Sequence, residues 1–270
     1  MTLRLVISDV DGTIVTGDKS VAPTTVDAAA RLQSAGAALS IVSARPPRGM
    51  QYVHDALHLT GLLAGFNGGL LLAPDGSTVA EHFVPEPDAR TALALFAARG
   101  VQTWLYSGPD WFVRATDAPH VAHEQHTIRY APTIIDSFEP HLARVSKMVG
   151  VSDDAPFLAA VETDLQALVA DRASAHRSQT YYLDLTAQKA NKGAAVRAIA
   201  AAMDVALEDV AVIGDNYNDL SMFDVAGFSV AMGNAPDPVK ARAGASVARS
   251  NDDGGWAEAV DTLLLPRMGR

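Results

Sequence analysis

The sequence predicts an α/β protein, an open and mostly parallel sheet covered by helices on both faces and interrupted by a smaller α+β insertion. Three observations carry that prediction. Continuous apolar strand-like runs alternate with helix-like segments at both ends of the 270-residue chain, the pattern of parallel strands buried on two faces. From about Pro85 the texture changes to hairpin-like segments between long helices. After Lys192 the first texture returns, so residues 1–84 and 186–270 read as one domain and 85–185 as an insert within it.

The elements follow in order. "LRLVISDV" reads as a first buried strand. "APTTVDAAARLQSAG" reads as a helix, with Thr24 in the capping position, Val26, Ala29, Ala30 and Leu32 at helical spacing, and Gly36 as a stop. "AALSIVSA" is a second buried strand, followed by a helix near Arg48 to Leu57. "GLLLAPDGSTVAEHF" is two short strands about the turn Pro74-Asp75-Gly76-Ser77. Within the insert, "EPDARTALALFAARG" is helical, "VQTWLY" and "WFVRAT" flank the turn "SGPD", and "ARVSKMVGV" and "TYYLDLT" are strands around the helix "SDDAPFLAAVETDLQALVADRA". The chain then returns through helix "KGAAVRAIAAAM", strand "VAVIGD", helix "NDLSMFDVA", strand "FSVAM", a short helix, strand "ASVAR" and a last helix after Gly255.

Composition removes several function classes. A formal charge of −10 argues against nucleic acid or an anionic membrane as the main partner. No apolar run reaches the roughly 18 residues that a spanning helix needs. The N-terminus has no basic region followed by an apolar core, so the expectation is a soluble, cytoplasmic protein. Without cysteine there are neither disulfides nor thiolate metal sites. An anionic substrate would have to be attracted by a bound metal and by local donors.

Open parallel sheets bind ligands beyond the carboxyl ends of their strands, where the strand order reverses. The first strand ends at Asp9, the second at Ser43, and the late strand "VAVIG" at Asp215, with Asn218 and Asp219 behind it. Lys192 opens the helix after Asn191, a place where a lysine opposes the helix dipole and is better understood as reaching toward an anion. Asp9 and Asp11, two residues apart at a buried strand end, are costly unless a cation or a ligand offsets them. Asp9 and Asp215, with a backbone carbonyl or water, form an all-oxygen set for a hard cation such as Mg²⁺. Ser43, the Ala44 N–H after it and Lys192 are donors suited to phosphoryl oxygens. A carboxylate attacking phosphorus gives an aspartyl-phosphate. Asp11, held off the metal, is placed to protonate a leaving oxygen and later to deprotonate water, and Gly12 lets the chain turn behind the pair.

These residues resemble the haloacid dehalogenase superfamily. "DVDGT" resembles its first motif, Ser43 its second, Lys192 its third and "GDNYND" its fourth, while "FNGG" and "NDDGG" resemble segments of its Cof-like branch. The resemblance implies a Rossmann-like hydrolase core and, in the insert, a C2-type cap. It implies Asp9 as nucleophile and Asp11 as general acid/base. Mg²⁺ would be held by Asp9, the Asp11 carbonyl and Asp215, with Asp219 in the outer shell. Ser43, the Ala44 N–H, Lys192 and Asn218 would hold the phosphoryl group. Ala44 stands where the family commonly has glycine. A carboxylate at Asp11 favours a phosphatase or phosphomutase over the transport ATPases and dehalogenases, which lack it. The expected partner is a small phosphorylated metabolite, by family likeness a sugar phosphate; a mutase and a phospho-ligand binder without turnover are the alternatives.

Two further patterns have blander readings. His120, His123 and His126 recur at three-residue spacing, but steps of three drift around a helix, so they read as surface or packing histidines rather than a zinc site. Trp104, Tyr106, Trp111 and Phe112 could floor a pocket; the preferred reading makes them the core of the insert's own sheet. Residues near Trp111, Arg114, His126 and Tyr181 are candidates for substrate choice.

Overall fold

Residues 2–269 are described by a computed structural model. By contacts the chain forms two units. The first takes the chain up to Ala44, Met50–Val79 and everything from Asn191 onward; the second takes Ala80–Ala190 together with Arg45–Gly49.

The first unit begins with β1 (Leu5–Ser8), buried at all four positions. Helix α1 (Pro23–Ser34) starts two residues earlier than a Thr24 cap would place it: Ala22 is the capping residue and makes no side-chain bond. Pro23 explains the difference, because its φ is already helical and it has no N–H that needs a cap. There follow β2 (Ala38–Val42), α2 (Gln51–Leu57) behind a short 3₁₀ turn, β3 (Leu63–Gly65), β4 (Leu70–Leu72) and β5 (Thr78–Glu81), whose last two residues already belong to the second unit.

The second unit contributes α3 (Glu86–Arg99), β6 (Gln102–Ser107), β7 (Asp110–Val113), α4 (Val121–Ile128), β8 (Thr133–Ile134), β9 (Lys147–Val151), α5 (Ala155–Val169), β10 (Ala173–Gln179) and β11 (Tyr182–Ala187). The chain returns to the first unit with α6 (Lys192–Ala202), β12 (Val210–Gly214), α7 (Leu220–Phe223), β13 (Phe228–Ala231), α8 (Asp237–Lys240), β14 (Ala245–Ser246) and α9 (Gly255–Glu258).

The first sheet runs β14-β13-β12-β1-β2-β3-β4-β5. Its strands are parallel from β14 to β3, and β4 turns back antiparallel. β1 lies between β12 and β2, with Ser8 level with Ile213 on one side and Ile41 on the other. That register brings the residues just beyond three strand ends, Asp9, Ser43 and Asp215, to one edge at the point of strand-order reversal.

The second sheet runs β10-β11-β9-β6-β7-β8. One face carries Leu105, Phe112, Met148, Leu183 and Leu185 into a core with Phe96, Leu158, Val161 and Leu165. The aromatic quartet is therefore split. Phe112 belongs to this core, whereas Trp104 and Tyr106 alternate with Leu105 and point to the opposite face, as does Trp111, the cross-strand neighbour of Tyr106. The histidines form no cluster. His120 precedes α4 with a left-handed φ of 64°, stacks on Tyr181 at 4.1 Å and bonds Asp153; His123 and His126 are exposed.

Tyr106 donates its hydroxyl to Glu124 Oε1 at 2.8 Å. Burial holds the Glu124 carboxyl above the ordinary carboxylate range, against the opposing pull of Lys147. A raised folded-state pKa means that the folded chain binds more protons than the unfolded one between the two pKa values, so stability falls as pH rises through that window. Glu124→Gln keeps the acceptor for Tyr106 and removes the titration. Its melting temperature should match the wild type at about pH 4 and exceed it increasingly toward neutrality. Parallel curves in pH-dependent thermal melts would refute this.

Candidate active site

Asp9 follows β1 directly, and its N–H donates to the Ile213 carbonyl at 2.9 Å, which ties it to the neighbouring strand. Its own carbonyl accepts from Ser8 Oγ at 2.8 Å, and that hydroxyl accepts from Trp256 Nε1 at 3.0 Å. The chain then bends through Gly12 at φ +75°, where a Cβ would lie 2.4 Å from Asp215 Oδ2. Only glycine satisfies both the left-handed backbone and that approach. Thr13 Oγ1 donates to Asp215 Oδ1 at 3.0 Å, so one turn places Asp9 and orients Asp215.

Lys192 is the first residue of α6, whose N-cap Asn191 accepts from the Ala194 N–H. The lysine is 1% exposed, and its Nζ donates to Asp9 Oδ1 at 2.5 Å and to Asp219 Oδ1 at 2.6 Å. The other Asp219 oxygen accepts from the Asp215 and Asn216 N–H groups at 2.8 and 2.9 Å. Asp219 is thus fully engaged, and it fixes the backbone that presents Asp215. Gly193 lets α6 approach α7 closely, since a Cβ there would lie 2.4 Å from the Ser221 carbonyl.

Asp9, Asp215 and Asp219 form an acidic group whose oxygens lie within 4.8 Å of one another. Three carboxylates beside one buried ammonium leave the site over-supplied with negative charge. Burial pushes the Asp9 carboxyl well up, Lys192 pulls it down, and Asp219 and Asp215 push it up again. Burial and Asp219 raise Asp215 to about 6. Burial acts against the charge of Lys192, but Asp219 and Asp9 together raise its pKa and keep it ammonium. The donor set is all oxygen, which fits a hard cation such as Mg²⁺, and the uncompensated charge is what such an ion would offset.

Ser43, 2% exposed, donates its N–H to the Ala64 carbonyl at 2.9 Å and accepts from the Asn67 N–H at 2.7 Å. Ala44 adopts no left-handed backbone, so the residue found where the family has glycine is sterically at ease. The "FNGG" segment bends sharply, with Phe66, Asn67 and Gly68 all at positive φ. Gly68 packs so tightly on Ala195 of α6 that a Cβ would come within 2.7 Å. The segment therefore ties the Ser43 loop to the helix that bears Lys192. Asn218, by contrast, is exposed, and its only described bond is the acceptance of Ser221 Oγ by its carbonyl; its side chain is not brought into the cluster.

Sequence reasoning missed two residues. Asn234 Nδ2 donates to the Gly12 carbonyl at 2.9 Å and to Asp215 Oδ2 at 3.2 Å, and Asn251 of "NDDGG" holds Asn234 and the Val15 carbonyl. Asn234 lies just beyond β13, so the strand-end rule that found Asp215 would have found it too. Lys19 Nζ donates to Asp11 Oδ1 at 2.7 Å. It comes from a turn with no signature of its own, so sequence offered no route to it.

Residues 6–260 match the haloacid dehalogenase-like hydrolase family. The chain belongs to that family. It is 28% identical over 265 residues to the pyridoxal phosphate phosphatase of Escherichia coli, covering 94% of this chain and 96% of that one. It is 24% identical over 270 residues to a Bacillus subtilis 5-amino-6-(5-phospho-D-ribitylamino)uracil phosphatase, covering 93% and 94%. A haloacid dehalogenase-like hydrolase from Bacteroides thetaiotaomicron superposes with a TM-score of 0.90 at 28% identity, over 96% of this chain and 99% of its own. This haloacid dehalogenase-like hydrolase is thus an enzyme, of the phosphatase kind that its relatives represent. Among the described residues no helix is long and apolar enough to cross a membrane.

Proposed function

We propose that this hydrolase cleaves small phosphate monoesters, sugar phosphates by preference, with Mg²⁺ and through an aspartyl-phosphate on Asp9. The observation that carries the reading is the buried Lys192 ammonium between Asp9 and Asp219, with Asp215 alongside, at the carboxyl edge of the sheet.

In this reading Asp9, the Asp11 carbonyl and Asp215 hold the metal, which supplies positive charge against the substrate phosphoryl oxygens. An Asp9 oxygen attacks phosphorus, forming the acyl phosphate as the ester P–O bond breaks. Asp11 gives its proton to the departing alkoxide, then takes one from the water whose oxygen attacks the acyl phosphate, releasing inorganic phosphate and restoring the Asp9 carboxylate. Lys19 orients Asp11 from outside. Lys192, Ser43 and the Ala44 N–H donate to the phosphoryl oxygens. The exposed Asn218 would do so only through a change of side-chain position. Asp219 acts as the outer support of Lys192 and Asp215. The insert, residues 85–185, would serve as the cap that excludes water and chooses the alcohol.

The deciding test is phosphate release from sugar phosphates and other small phosphomonoesters, with Mg²⁺ or with a chelator. Metal-dependent release supports the reading. A folded, metal-supplied protein that releases phosphate from no panel member would turn the assignment toward a phosphomutase or a phospho-ligand binder.

A further inference from the structure

The late loop "NDDGG" takes no direct part in the chemistry, yet within the first unit it grips the turn behind "DVDGT". In that turn the Thr16 N–H donates to the Ser20 carbonyl at 3.0 Å and the Lys19 N–H to the Thr16 carbonyl at 2.9 Å. Asp18 Oδ1 accepts from the Ser20 N–H at 3.1 Å and from its hydroxyl at 2.8 Å. Lys19 has a left-handed φ of 64°, a backbone that a side chain adopts only at a cost. From there its Nζ reaches Asp11 Oδ1 at 2.7 Å. The two side chains are 27 and 35% exposed, and an ion pair so open to water is a weak tether by itself. Keeping Lys19 in place requires support from elsewhere.

The loop supplies it from the far end of the chain. Asn251 Nδ2 donates to the Val15 carbonyl at 2.8 Å, and Asp252 Oδ1 accepts the Gly17 N–H at 2.7 Å, so both neighbours of Thr16 are held. The loop is itself stiff. The Asp253 and Gly255 N–H groups both donate to the Ser250 carbonyl, at 3.1 and 2.8 Å, and a Cβ on Gly255 would lie 2.2 Å from the Arg249 carbonyl. The Asn251 N–H also donates to Asn234 Oδ1 at 3.1 Å, and Asn234 bonds the Gly12 carbonyl and Asp215. One loop thus reaches toward Asp215 through Asn234 and toward Asp11 through the turn that bears Lys19. The ammonium on Asp11 Oδ1 restricts rotation of that carboxylate and confines proton exchange to Oδ2.

We propose that Asn251 and Asp252 are positioning residues: by fixing Val15 and Gly17 they set Lys19 where it aims the Asp11 carboxyl for proton transfer to the departing alcohol. The role assigned to Asp11 rests on the phosphatase reading above. A misaimed acid costs most where the departing alkoxide is a strong base, and little where the leaving group departs without a proton.

The test uses the full chain with Mg²⁺ and compares glucose 6-phosphate with 4-nitrophenyl phosphate by kcat/KM, which covers the steps up to departure of the alcohol. Asn251→Ala and Asp252→Ala, their folding checked by thermal melting, should each lose about tenfold on the sugar ester and less than about threefold on the nitrophenyl ester. Asp252→Asn keeps an oxygen for the Gly17 N–H and should recover most of the loss. Lys19→Met should show the same split between esters. Adding Asp252→Ala to it should cost little more, because the clamp acts through the lysine. Equal losses on the two esters, or losses that add in the double variant, would overturn the proposal while the phosphatase stands. If the wild type cleaves neither ester, the phosphatase reading fails, and amide hydrogen exchange decides the clamp separately. Asp252→Ala should then speed exchange at the Gly17 and Lys19 N–H groups about tenfold; unchanged rates would overturn it. Two clamp positions keep the test decisive should one variant fail to fold.

Discussion

Asp9→Asn should lower phosphate release by at least about a thousandfold, because an amide cannot form the acyl phosphate, and it should leave the metal-free protein at least as stable as the wild type. The second half is the sharper claim. Burial and two neighbouring carboxylates hold the Asp9 carboxyl well above its ordinary range. An acid with a raised folded-state pKa contributes stability at low pH and loses it as pH rises from its unfolded toward its folded value. At neutral pH the neutral amide therefore removes a cost. Its oxygen can still accept from Lys192, which keeps Asp219 as its charged partner. Thermal melts with a chelator present would check this. A variant that melts well below the wild type would mean that the Asp9–Lys192 pair outweighs the repulsion among the carboxylates.

Lys192→Met should do the reverse and damage both properties. It strips the one ammonium that faces Asp9 and Asp219 and leaves two buried carboxylates without it. Breaking a buried pair from one side costs about 3–5 kcal/mol. The metal-free variant should melt far below the wild type, and Mg²⁺ should recover part of the loss by mass action, since it would bind the folded state. Activity should fall at least about a hundredfold even where the protein is folded, because a phosphoryl-oxygen donor is gone. A folded variant with near-normal turnover would remove Lys192 from the mechanism. Asp9→Asn stable and inactive, beside Lys192→Met unstable and inactive, is the joint signature of a site whose negative charge exceeds what its own lysine can offset.

Most of the parallel sheet and most of the site were legible in the chain. Buried parallel strands are continuous apolar runs, and a polar residue ending such a run is conspicuous: Asp9, Ser43 and Asp215 each close one. Lys192 was visible because it sits against the helix dipole directly after a capping asparagine. What sequence could not supply was which oxygen meets which donor. That Asp219 spends one oxygen on Lys192 and the other on two backbone N–H groups depends on how α6 and the turn before α7 come together. The reach of Lys19 to Asp11 depends on a turn that brings its ammonium back over the first loop.

The insert shows the same division from the other side. Its hydrophobic content was plain, but the face to which each aromatic points follows from strand register, and a shift of one residue reverses every side chain. Phe112 went to the apolar core while Trp104, Tyr106 and Trp111 turned to the face that carries Lys147 and Asp184. By itself the sequence determined the strand ends at the site and the chemical types gathered at one edge, because those depend on local periodicity and on residue identity. Tertiary structure alone decided the pairings and the unmatched charge around Asp9, because each requires two distant segments to meet at hydrogen-bond distance.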